Sequence, residues 1–118
     1  MNFTLVEISD LSGEHCQIFS VLLDGDKQTL YEQFLEKNAK AHGDEVQDIY
    51  DRLKFIGKEG GAREYFFKHH EGIPGDLVCA LYDQPNSNLR LFCIRFGQVT
   101  VVLGCGGYKS KKIRAWQQ

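Results

Sequence analysis

Helical periodicity in this chain is confined to residues 27–56, and β-like apolar runs lie on both sides of that stretch. This order limits the possible folds more than any other feature. In Lys27–Ala41, the residues Leu30, Tyr31, Phe34, Leu35 and Ala39 recur on one stripe of a helix. Asp26 stands where an N-cap belongs, and His42-Gly43 stops the stripe. A second helix is expected from Asp44, with Gln47 at its third position as in a capping box. Val46, Ile49, Tyr50, Leu53 and Ile56 form its buried face, and Gly57 is its expected C-cap. Two such helices joined by a short glycine-containing turn read as an antiparallel αα-hairpin. The acids Glu32, Glu36, Glu45, Asp48 and Asp51 then fall on solvated outer faces.

Phe3–Ile8 and Cys16–Leu23, separated by the turn-forming residues Ser9–Glu14, read as an N-terminal β-hairpin. Lys58–Arg63 reads as a linker. Glu64–His70 fits a short helical turn and a strand equally. Glu71–Asp76 contains Gly72, Pro74 and Gly75 and reads as a loop. Leu77–Tyr82 is a continuous apolar run expected as a central strand, and Asp83–Asn88 is a hairpin turn. Leu89–Phe96 and Val99–Leu103, turned at Gly97, complete a three-stranded meander. Gly104, Gly106 and Gly107 read as a strand-ending bend. They match neither a Walker A loop nor a G-x-G-x-x-G fingerprint. The order ββ, αα, βββ argues an α+β fold, with helices on one face of one antiparallel sheet. At 118 residues the chain is read as a single domain, 1–118, with one core.

Charge divides the chain. All 16 acidic residues precede Pro85, and residues 1–85 carry 8 Lys or Arg, about −8 in sum. Residues 86–118 carry six Lys or Arg and no acid, about +6. The net −2 therefore hides a basic C-terminal third. No apolar run approaches a membrane span, and the N-terminus lacks a signal-peptide pattern, so a cytoplasmic protein is expected. Cys16, Cys79, Cys93 and Cys105 form no C-x-x-C pair and read as free buried thiols. The adjacent pair His69-His70 is the only candidate for a metal, and adjacent side chains rarely share one ion. No cofactor is expected.

The helical hairpin, the run Leu77–Tyr82, the segment Asn88-Leu89-Arg90-Leu91-Phe92-Cys93-Ile94, and Val99–Leu103 leading into Gly107-Tyr108-Lys109 together resemble the RelE/ParE superfamily. These are toxins of bacterial type II toxin–antitoxin systems. The resemblance covers roughly residues 28–116 and is one of pattern and order. It implies a RelE-like fold and a cytosolic toxin neutralised by a cognate antitoxin protein. RelE-like members are endoribonucleases (mRNA interferases) that cleave mRNA in the ribosomal A site; ParE-like members inhibit gyrase and cleave no RNA. The N-terminal hairpin is longer than the single first strand of the family, and the overall acidity departs from its usual basic character.

Cleavage of this kind has the 2′-OH attack the adjacent phosphate in line. The protein must orient the backbone, move two protons and hold extra negative charge. The resemblance sets Arg90 at a catalytic-site arginine, where a guanidinium suits a phosphate. It sets Lys109 at the basic residue after the last strand, for phosphate charge or proton transfer. His70, beside His69, is a further acid–base candidate because histidine titrates near neutrality. Lys111, Lys112 and Arg114 read as electrostatic RNA contacts, and Tyr108 and Trp116 as rings on which a base stacks. Each has a plainer reading: a solvated or ion-paired arginine, a solvated tail, an exposed loop histidine, a tryptophan packed on the sheet. Two alternatives stand beside the ribonuclease. One is a non-catalytic gyrase inhibitor or toxin-like binding module. The other is an unrelated α+β domain whose basic tail binds nucleic acid.

Overall fold

The computed structural model describes residues 2–69, 78–81 and 89–108. Strands β1 (Phe3–Glu7) and β2 (Gln17–Leu23) precede helices α1 (Leu30–Ala39) and α2 (Gly43–Phe55). A π turn (Ile56–Gly60) and a 3-10 turn (Glu64–Phe66) follow, then β3 (Phe67–His69), β4 (Val78–Leu81), β5 (Leu89–Phe96) and β6 (Thr100–Tyr108). The fold is α+β, as expected from the sequence. The sheet, however, is mixed rather than antiparallel: its order is β1-β2-β6-β5-β4-β3, and β2 runs parallel to β6. All other neighbours pair antiparallel. Glu64–His70 supplies both of its readings in succession, a 3-10 turn and then strand β3 as far as His69.

The parallel seam is fastened by one buried hydroxyl. Ser20 Oγ donates to the Leu103 carbonyl at 2.8 Å and accepts from the Tyr31 N–H at 3.1 Å. It thus ties the β2–β6 pair to the first turn of α1, where backbone N–H groups lack intrahelical partners. Ser20→Ala leaves that buried N–H unmatched. A loss of about 1–3 kcal/mol is expected, read as a lower urea midpoint with the far-UV spectrum unchanged.

Helix α1 starts later than its sequence suggests. Thr29, not Asp26, is the N-cap: its side chain accepts from the Glu32 N–H while the Glu32 carboxylate accepts from the Thr29 N–H. The buried stripe is Tyr31, Phe34 and Asn38, with Ala39 exposed. Asn38 is buried because its Nδ2 donates to the Phe34 carbonyl one turn back. In α2 the buried face is as expected, with Val46, Ile49, Leu53 and Ile56 inside and Tyr50 half-buried. Its N-terminus has no side-chain cap, and Gln47 donates instead to Asp51. Gly57 does not end the helix. The chain passes into the π turn and is released at Gly61, whose φ of 79° favours glycine.

The glycine-rich segment is a further correction. Gly104–Gly107 is not a bend but part of β6, which continues to Tyr108 opposite Leu89. A register shift between Leu91 and Cys93 absorbs the extra residue. Gly106 lies so close beneath α1 that an added Cβ would meet the Arg90 carbonyl oxygen and the Phe34 ring. Leu91, Leu103, Phe34, Leu53 and Ile56 share one core cluster on this helix side of the sheet.

Candidate functional site

Strand β5 alternates cleanly. Leu89, Leu91 and Cys93 enter the core, while Arg90, Phe92 and Ile94 project from the other side. Helix α1 packs against β6 and β2 on the core side. The opposite face carries no described helix, so Phe92 remains 45% exposed and Arg90 half-buried. Arg90 pairs across the sheet with Gly107, where an added Cβ would meet nothing within 4 Å. The ground beside the guanidinium is therefore unobstructed by its cross-strand neighbour. Its Nη1 donates to the Leu89 carbonyl at 3.0 Å, which steadies the side chain along the strand.

Tyr108 lies on the other side of the same strand end. It pairs with the core-facing Leu89, and its ring stacks flat on His42 from the α1–α2 turn, with centroids 3.9 Å apart and an interplanar angle of 0°. His42 Nδ1 is 3.7 Å from the Glu45 carboxylate, an ion pair only when the imidazole is protonated. Arg90 and Tyr108, both expected as site residues, thus occupy opposite faces at one end of the β5–β6 ladder. Tyr108 is still nearly half exposed, so one ring face is engaged by His42 and the side chain keeps contact with solvent. The other expected site residues, His70, Lys109, Lys111, Lys112, Arg114 and Trp116, lie outside the described residues.

Arg95, the other β5 cation, has a structural role. Its Nε donates to the Ala62 carbonyl at 2.7 Å, and its guanidinium lies 5.6 Å from the centre of the Phe67 ring. It fastens β5 to the chain entering β3. The thiols divide as well. Cys16, Cys79 and Cys93 are buried as expected, but Cys105 is exposed. Burial pushes the Cys16 thiol up to about 11, although a backbone hydrogen bond to Ala62 opposes the shift. Cys79 and Cys93 face each other across β4–β5 with sulfurs 3.8 Å apart. Their hydrogen bond, and then burial, hold Cys93 protonated well above the usual thiol range. Such thiols are poor nucleophiles.

No family model matches the chain, and no curated protein or solved structure is significantly similar to it. Among the described residues no group of three or more His, Cys, Asp or Glu could hold a metal, and no helix is long and apolar enough to cross a membrane.

Two features of the site escape a reading of the sequence. One is the exposed aromatic and aliphatic pair on the Arg90 side of β5, Phe92 and Ile94. The run Leu89–Phe96 is apolar at both parities except at its arginines, so hydrophobicity alone marks no exposed side. Arg90 and Arg95 fall on opposite parities, so the arginines mark no side either, and the exposed side is set by which residues the core takes. The other feature is His42, whose helix-turn position carries no sign of a partner as distant along the chain as Tyr108.

Proposed function

We propose that this protein is a RelE-type toxin of a type II toxin–antitoxin system, an endoribonuclease that cleaves mRNA at the ribosome. The reading is supported above all by Arg90, a strand guanidinium on the side of the sheet that carries no described helix, beside a residue without a side chain. A fixed fork of donors there suits the phosphate whose charge rises during in-line attack by a 2′-OH. Phe92, exposed two residues along the same face, offers a ring on which a base can stack. The last strand then leads into a segment with Lys109, Lys111, Lys112 and Arg114 and no acid, which favours a polyanion. A cognate antitoxin protein, mRNA and the ribosome are the proposed partners. Lys109 and His70 are the proposed further catalytic groups.

Arg90→Ala should leave the fold intact, because the side chain lies outside the core. Transcript cleavage after induced expression should fall by about 100-fold or more. Primer extension on cellular mRNA reads the effect, with far-UV circular dichroism as the control for folding. Growth arrest with uncut transcripts and induced DNA-damage signalling would instead identify a gyrase inhibitor. Unchanged cleavage in a folded Arg90→Ala protein would remove the arginine from the mechanism.

A further inference from the structure

Strand β1 ends the sheet, and its main-chain geometry determines which of its residues face outward. The Asn2 carbonyl accepts from Asp24 N–H at 3.0 Å, and Ile8 N–H donates to the Ile18 carbonyl at 2.8 Å. In the register Phe3↔Leu23 through Glu7↔Phe19, the even-numbered residues therefore bond to β2. Phe3, Leu5 and Glu7 direct their N–H and C=O groups toward the open edge, beyond which no described strand lies. Phe3 is 61% exposed and Leu5 50%. The strand has no proline, no lysine and no bulge, and its one charged side chain, Glu7, stands at its end.

We propose that β1 pairs antiparallel with β1 of a second copy of this chain, joining two sheets across a two-fold axis at Leu5. This register uses the whole strand. Leu5 faces Leu5 of the second copy, and Phe3 faces Glu7. These are the residues whose main-chain groups point outward, so each pair exchanges both N–H···O=C bonds. Charge selects the same arrangement. Glu7 is the strand's one charged residue, and antiparallel pairing sends the two copies of it to opposite ends. Parallel pairing would set them side by side at a cost. The exposed sheet face continues across the junction, because Leu5 pairs with Val21 on the side opposite the buried Ser20. An isologous contact of this kind closes on itself and leaves no further β1 edge for chain growth. A five-residue edge is a small interface, so the dimer is expected to dissociate on dilution.

Sedimentation velocity of the full chain over a hundredfold concentration range tests this. The wild-type average mass should rise toward twice that of one chain. Leu5→Pro removes an outward N–H and leaves the main-chain bonds to β2 in place, and proline is tolerated at such edge positions. It should stay monomeric throughout, with an unchanged far-UV spectrum. If that variant does not fold, Leu5→Lys sets two cations across the axis and should weaken the dimer at least tenfold. In a Cys105→Ser background, Leu5→Cys should crosslink to a dimer under a mild disulfide-forming oxidant and separate on reduction. A wild-type chain that stays monomeric at every concentration overturns the proposal, even if it takes up a strand from another protein. So does a folded Leu5→Pro or Leu5→Lys variant that dimerises like the wild type.

Discussion

Gly57→Ala is expected to lower stability by about 3 kcal/mol or more, a large share of what a domain of this size possesses. An added Cβ at Gly57 would lie on the carbonyl oxygen of Leu11, and backbone is what it meets. No rotamer change relieves such a clash. The approach is reciprocal, since a Cβ at Gly13 would meet the Gly57 carbonyl. That carbonyl accepts from the N–H groups of His15 and Cys16, at 3.0 and 3.2 Å. Lys58 Nζ adds a bond to the Ser12 carbonyl at 3.1 Å. The loop between β1 and β2 is thus clamped main chain to main chain on the end of α2, over the fully buried Leu11 and Ile56. Moving the loop aside to admit a methyl group breaks these bonds and opens the core beneath them. Urea unfolding should show the midpoint falling by about 2 M. A midpoint within a few tenths molar of wild type would mean that the two backbones are not in contact.

Gly106→Ala should be the second most damaging change and should also reach the candidate site. Its Cβ would meet the Arg90 carbonyl oxygen, the Leu91 Cα at 2.9 Å and the Phe34 ring at 2.9 Å. Sheet and helix press on the position from different directions, so relief requires β5 or α1 to move. A loss of about 2–3 kcal/mol is expected. Because the strand that would move carries Arg90, any cleavage activity should fall with it even where the variant remains folded. Gly107→Ala is the internal control. Its added methyl points into open space beside Arg90 and should cost less than about 1 kcal/mol. Thermal unfolding of the two variants side by side reads the difference. Equal effects at 106 and 107 would contradict the pairing of Arg90 with Gly107 and of Leu91 with Gly106.

The candidate site is legible in the sequence only in part. Arg90 is named from the sequence as a site residue, and the alternation of β5 turns it away from Leu89 and Leu91. Tyr108 is expected as a stacking ring; its stack on His42 depends on bringing the α1–α2 turn over the strand end, and nothing near either residue encodes that. The exposure of Cys105 likewise follows from the continuation of β6 through glycines that locally resemble a bend.

Local sequence alone determined the α+β class, the two helices, the inward face of α2 and the positions of β1, β2, β4 and β5. Period and turn chemistry act over a few residues and need no partner to be recognised. Tertiary structure decided the rest. It chose Thr29 over Asp26 as the N-cap, where Ser20 receives the next free N–H of α1. It made Gly57 a contact instead of a helix end, and it kept Gly104–Gly107 extended beneath Phe34. It also joined β2 to β6 in parallel, across 83 residues of chain at the Ser20–Leu103 bond. These outcomes depend on which surfaces meet once the core closes, and contacts between distant segments leave no periodic trace in either segment.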